Sequence, residues 1–91
     1  MRFKHWLEDA EGVITAQNPE GRKVSPEANA QANRRLRKDL QHLDPQPIKG
    51  SYNGNDEESF RIPKVGKETL TKLGRKYRQK AVMMGGNEIL P

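Results

Sequence analysis

The sequence predicts an α+β fold of ferredoxin-like type, β-α-β-β-α-β. One antiparallel sheet would carry two helices on one face, preceded by a short N-terminal helix. Three observations predict it. Two segments, 26–43 and 66–80, place their apolar residues at helical spacing on a single stripe. Four short runs are β-branched, alternating or compactly apolar. The two kinds interleave as strand, helix, two strands, helix, strand. A single sheet with both helices on one side is the economical way to bury two such stripes.

At 91 residues the chain is short for two separate cores, so it reads as one domain. An N-terminal helix would span 1–11, the core 12–86 and a tail 87–91. Only 32% of residues are hydrophobic, a composition near the limit for folding. The charges are mixed, however, with 17 basic against 12 acidic residues and a net charge of +5, and the periodic segments argue for a small folded domain. There is no cysteine, hence no disulfide framework or thiolate metal site, which suits a reducing cytoplasm. No apolar run approaches the ~20 residues of a membrane span.

Phe3, Trp6, Leu7 and Ala10 recur at helical spacing before Gly12 and predict the N-terminal helix. Val13, Ile14 and Thr15 are β-branched and give a strand that Asn18-Pro19 closes. Ser25 is a good N-cap and Pro26 suits the first helical position, so a helix should run to about Leu43. Its stripe would be Ala28, Ala32, Leu36, Leu40 and Leu43, with Asn29 and Asn33 at its edge. Ile48, Gly50 and Tyr52 alternate with Lys49 and Ser51, and Phe60 and Ile62 with Ser59 and Arg61. A hairpin turning at "NGND" follows, and Pro63 should mark a strand end or an edge. The second long helix has Leu70, Leu73, Gly74 and Tyr77 on one face, and "AVMM" is a short buried strand. The first and third strands should be central, with "AVMM" at an edge. Leu36, Leu40, Phe60, Leu70, Leu73 and Tyr77 should be largely buried.

Four motifs occur in order: "ITAQNP"; Ser25, Asn29, Asn33, Leu36, Asp39 and Leu40 spaced as S-x-x-x-N-x-x-x-N-x-x-L-x-x-D-L; "GSYNG" followed by "ESFRIP"; and L-G-x-K-Y-x-Q-x-A-V from Leu73 to Val82. Together they resemble the bacterial and phage family called domain of unknown function 3293, over roughly residues 12–86. Members of that family often carry an aromatic where this chain has Gln17, and glycine where it has Arg78. The resemblance implies an architecture and a candidate face; the family has no established activity.

The candidate polar seam comprises Asn18, Ser25, Asn29, Asn33, Glu58, Ser59 and Gln79. Amides offer donor and acceptor atoms together, so they could read a base edge, a ribose or a peptide group. They could equally satisfy loop backbone within the chain, and we expect Asn29 or Asn33 to bond the loop after Asn18 or the strand beginning at Glu58. Arg34, Arg37, Lys38, Lys72, Arg75 and Lys76 lie opposite the apolar stripes and would share one broad basic surface suited to phosphates. Thr15, Lys49, Ser51 and Arg61 would face outward on the open side of the sheet, which lacks the paired aromatics of an RNA-stacking sheet.

His5 and His42 are isolated, so no metal site is expected, and no phosphate loop, nucleophile elbow or dinucleotide fingerprint occurs. No cofactor is implied. The sequence therefore points to a cytoplasmic, non-catalytic binding module for an anionic partner such as nucleic acid. The alternatives are a protein-interaction or inhibitor module and, third, a small enzyme acting on a nucleotide-like substrate.

Overall fold

The computed structural model describes residues 9–52 and 55–91. Seven regular elements follow in order: β1 (Ala10–Ile14), α1 (Pro26–Leu40), β2 (Gln46–Tyr52), β3 (Asn55–Val65), α2 (Lys67–Lys76), β4 (Val82–Met84) and β5 (Asn87–Ile89). They form a mixed α+β fold with one open, five-stranded antiparallel sheet of order β2-β3-β1-β4-β5. The expected N-terminal helix falls mainly outside the described residues, and Ala10 and Glu11 belong to β1. Asn53 and Gly54 of the expected hairpin turn also lie outside them.

The β1 strand pairs with β3 through Gly12↔Ile62, Val13↔Arg61 and Ile14↔Phe60, so the β-branched pair sits beside Phe60 as expected. Pro63 does not end the strand but stands at an edge, the second of the two places expected for it. Between Gly12↔Ile62 and Ala10↔Val65 the β3 strand gains one residue on β1, a bulge at Pro63-Lys64. The strand β2 stops pairing at Gln46↔Arg61, so Pro63 lies where β3 has no neighbour on that side and its missing N–H costs no ladder bond. The bulge also shifts the alternation by one, which turns Val65 to the same face as Phe60 and Ile62; all three are buried.

That face receives both helices. Ile14 and Ala16, Phe60, Ile62, Val65 and Val82 from the sheet join Leu36 and Leu40 of α1 and Leu70 of α2 in one cluster. Leu73 and Tyr77 pack against it only partly buried. Helix α1 begins as expected, with the Ser25 hydroxyl accepting from Ala28 N at 3.1 Å and Pro26 in the first turn. The α-helix proper stops at Leu40, and Gln41–Leu43 tighten into a 3₁₀ turn. Its buried positions are Asn29, Asn33, Leu36 and Leu40, while Ala28 is exposed. The real stripe keeps Leu36 and Leu40 but is centred about 50° from the one that apolarity selects, because two amides are wanted inside.

Two further expectations are corrected at the ends of the sheet. Residues 87–91 are not simply a tail: Gly85 and Gly86, at φ 57 and 82°, turn the chain back and Asn87–Ile89 pair with β4. Two consecutive positive-φ glycines are the signature of a tight hairpin. Consequently "AVMM" is not an edge, for β5 covers it. Lys49 pairs with Glu58 in register, so it shares the helix-covered side of the sheet, and Ile48 instead stands beside Ser59 on the open side.

Candidate functional site

The regular β1–β3 ladder ends at Ile14↔Phe60, and side-chain amides take over where the strands part. Asn33, on α1, accepts from Ala16 N at 2.9 Å and donates to the Glu58 carbonyl at 3.2 Å. Its amide thus stands in for a peptide group between the two strands, extending the ladder by one side chain. Thr15 Oγ1 also donates to the Glu58 carbonyl, at 2.7 Å, and Gln17 Oε1 accepts from Glu58 N at 2.7 Å. Asn33 is 4% exposed and Ala16 1%, so this backbone N–H has no water to fall back on.

One helical turn earlier, Asn29 makes a paired exchange with Asn18: Oδ1 accepts from Asn18 N at 2.8 Å, and Nδ2 donates to Asn18 Oδ1 at 3.0 Å. Asn18 holds φ 46°, a left-handed conformation that Asn tolerates better than most residues. Its Oδ1 also accepts from Val24 N, and its Nδ2 donates to Glu57 Oε2 at 3.3 Å. The loop 19–24 is therefore pinned at both ends of one side chain. Across from it, Glu20 N donates to the Arg78 carbonyl and Gln79 Nε2 donates to the carbonyls of Gln17 and Tyr77.

The structure thus brings Asn18, Asn29, Asn33, Gln79 and the backbone of Glu58 together. Ser25 serves as a helix cap, and Ser59 points to the opposite face of the sheet. Gln17 and Thr15 belong to the seam but were absent from the sequence-derived set. Nothing local marks them, because their partners lie 41 and 43 residues away. Among the described residues no buried side-chain polar atom lacks a partner.

Beside the seam a cleft of about 540 Å³ runs along α1, bounded by Gln17, Asn18, Val24, Glu58 and Phe60. Lys23, Arg34 and Arg37 line it. The expected single basic surface is instead divided. Arg34 and Arg37 lie about 60° apart around α1, whereas Asp39 is about 200° beyond Arg37, on the other side of the helix. There Asp39 clamps the two helices: its Oδ2 accepts from Lys76 Nζ at 2.8 Å and from the Tyr77 hydroxyl at 2.6 Å. Lys76 is committed to that clamp, with its ammonium 5.6 Å from the Tyr77 ring centre. Lys38, Lys72 and Arg75 are exposed and do not line the cleft.

The Asp39 carboxyl is held below its ordinary range, first by the hydrogen bond from Lys76 and then by that from Tyr77. The Tyr77 phenol is pushed up, first by burial and then by its bond to Asp39. Among the described residues no group of three or more His, Asp or Glu could hold a metal ion, and no described helix is long and apolar enough to cross a membrane. No curated protein and no solved structure matches the chain. One family model matches residues 14–82, that of a protein of unknown function (DUF3293).

Proposed function

We propose that this chain, which belongs to the DUF3293 family of proteins of unknown function, is a small non-catalytic binding module that holds the phosphate backbone of a nucleic acid in the cleft along α1. One observation carries the reading: Lys23, Arg34 and Arg37 line the same cleft, where a strand of phosphates would meet three cations at once. Cations placed in a groove recognise a phosphate backbone without reading its sequence. The amides beside them bond to the chain's own backbone and to one another, which favours a structural seam over a reactive centre. Phe60 is 2% exposed and offers no stacking face, so the contact is with backbone rather than bases. A cytoplasmic setting fits a chain without cysteine.

We read the fold itself as ferredoxin-like with one added strand. Setting β5 aside, the order β2-β3-β1-β4 keeps the first and third strands central and both helices on one face.

The test is fluorescence anisotropy with a labelled single-stranded oligonucleotide across a salt series. Three phosphate contacts give a log–log slope of about −2, hence roughly 20-fold weaker binding between 50 and 200 mM salt. Arg34→Ala and Arg37→Ala should each reduce the slope by about 0.7, whereas Lys72→Ala with Arg75→Ala should leave it within error. Binding that ignores ionic strength, or that depends on Lys72 and Arg75 instead, removes the cleft from the reading.

A further inference from the structure

The open face of the sheet carries a second cavity of about 300 Å³, and its chemistry is the reverse of the cleft's. Strand register sets its plan. Val13 and Met83 are neighbours across β1 and β4, with Glu88 next on β5. Thr15 and Ser59 continue the β1–β3 register one pair further along, and Glu57 follows Ser59 on the same face. Val13, Ala81 and Met83 supply an apolar floor, with Glu57 at one end and Glu88 at the other.

Apart from Lys80, the side chains facing this trough offer mainly acceptors. Gln79 spends its NH₂ group on the carbonyls of Gln17 and Tyr77, which leaves its Oε1 free to accept. Thr15 gives its proton to the Glu58 carbonyl and already accepts from Gln17 N, which leaves it one lone pair. Glu57 uses Oε2 to accept from Asn18 and keeps Oε1. Ser59 is 8% exposed, lines the trough, and has no hydrogen-bond partner among the described residues. No buried side-chain polar atom among the described residues lacks a partner, so the Ser59 oxygen opens onto the trough, where it is available to a ligand. Lys80 also lines the trough, but its ammonium lies against Gly21, and among the described residues it pairs with neither carboxylate.

An apolar floor, acceptors along the walls and a carboxylate at each end select a long organic cation. We propose that the trough binds a linear polyamine, with its methylene chain on Val13, Ala81 and Met83 and its terminal ammonium groups at Glu57 and Glu88. Three strand spacings and four residues along the strand put the two glutamate Cα atoms roughly 20 Å apart. Side chains on a strand stand roughly perpendicular to the sheet, so the carboxylates keep about that separation, a span for a spermine-sized cation and too long a span for a four-carbon diamine. The net charge of +5 opposes the approach of any cation at long range, so recognition must come from these short-range contacts. The site lies on the opposite face of the sheet from the cleft along α1 and shares only Asn18 with it.

Titration of ¹⁵N-labelled protein with spermine, 1,4-diaminobutane and butylamine, followed by amide chemical shifts, tests the assignment. Saturable shifts should centre on Val13, Thr15, Ser59 and Met83, with spermine at least about tenfold tighter than either shorter amine. Glu57→Gln keeps an acceptor for Asn18 and Glu88→Gln is conservative at an exposed position, so both variants should retain the parent spectrum and melting temperature. Each should weaken spermine about fivefold, the scale of one partly exposed ion pair, while Glu88→Gln leaves diaminobutane unchanged. Shifts scattered over the surface, equal affinity for spermine and diaminobutane, or indifference to either substitution overturns the proposal.

Discussion

Replacing Asn33 with alanine isolates the amide that splices β1 to β3. The cost follows from its two bonds. Ala16 N loses its acceptor, and with Ala16 1% exposed water cannot replace it, so the penalty is that of a stranded buried N–H, about 1–3 kcal/mol. The Glu58 carbonyl is not stranded, because Thr15 Oγ1 still donates to it at 2.7 Å. Truncation of a side chain that is 4% exposed adds a small cavity, which places the total near the upper end, about 2–3 kcal/mol. A domain this small has about 5 kcal/mol to lose, and each kcal/mol moves the midpoint by about 4–8 °C. Thermal and urea unfolding followed by circular dichroism should therefore show a midpoint lower by roughly 10–20 °C. Asn29→Ala should cost less, about 1 kcal/mol, since Asn18 keeps Val24 and Glu57 as partners and its surroundings are only part-buried. Asn33→Asp refines the test. At neutral pH its carboxylate faces the Glu58 carbonyl and destabilises, whereas below about pH 4 the protonated acid can donate, so the deficit relative to the parent should shrink. An Asn33→Ala protein that melts with the parent, or an order in which Asn29 matters more, would refute the splice as the structural reason for these asparagines.

Three other outcomes follow from single features. Tyr77→Phe removes the hydroxyl bond to Asp39 and should cost about 1 kcal/mol at pH 7. The depressed Asp39 pKa means its contribution is fully present above the unfolded carboxylate value near 4 and lost as pH falls through the folded value, so the Tyr77→Phe deficit should fade in acid; the raised Tyr77 pKa means the clamp also loosens as pH rises past about 10. A deficit constant from pH 2 to pH 8 would separate the hydroxyl from Asp39. Arg78→Gly should stabilise by about 0.5–1 kcal/mol, because Arg78 holds φ 55° at the end of α2, where Gln79 N bonds the Gly74 carbonyl and Arg78 N bonds that of Arg75; an unchanged or lower melting temperature would contradict this. Gly12→Ala should destabilise by about 1–3 kcal/mol, since its Cβ would stand 2.6 Å from Val65 Cγ1 and 3.1 Å from Leu70 Cδ2, and a neutral result would show that α2 can lift from the sheet at little cost.

Much of the layout was legible because it depends on local rules. Ser25-Pro26 starts a helix wherever it sits, and Val13-Ile14 and Phe60-x-Ile62 alternate as strands whatever their partners. Arg78 was legible in a different way: the family's frequent glycine there makes sense once the helix end is seen to demand a left-handed residue. What failed depended on context. The β5 strand was read as a tail because three polar-flanked residues carry almost no periodicity, although Gly85-Gly86 was a usable turn signal. Of the strand end or edge expected at Pro63 only the edge holds, and that depends on where β2 happens to stop.

The buried stripe of α1 shows the deeper reason. Apolarity placed Ala28 inside and Asn29 at the edge, but the helix turns Asn29 and Asn33 inward because two strands part beneath them and leave backbone groups to satisfy. That demand is invisible until the strands are paired. The basic helix faces mislead in the same way. Cations opposite the apolar stripes suggest one shared surface, yet Arg34 and Arg37 line a cleft on the helix side and Glu57 and Glu88 a trough on the other. Asn18 lines both cavities, with Oδ1 turned to α1 and Nδ2 to Glu57. A primary amide suits the position where the two cavities meet, because it presents an acceptor to one side and a donor to the other.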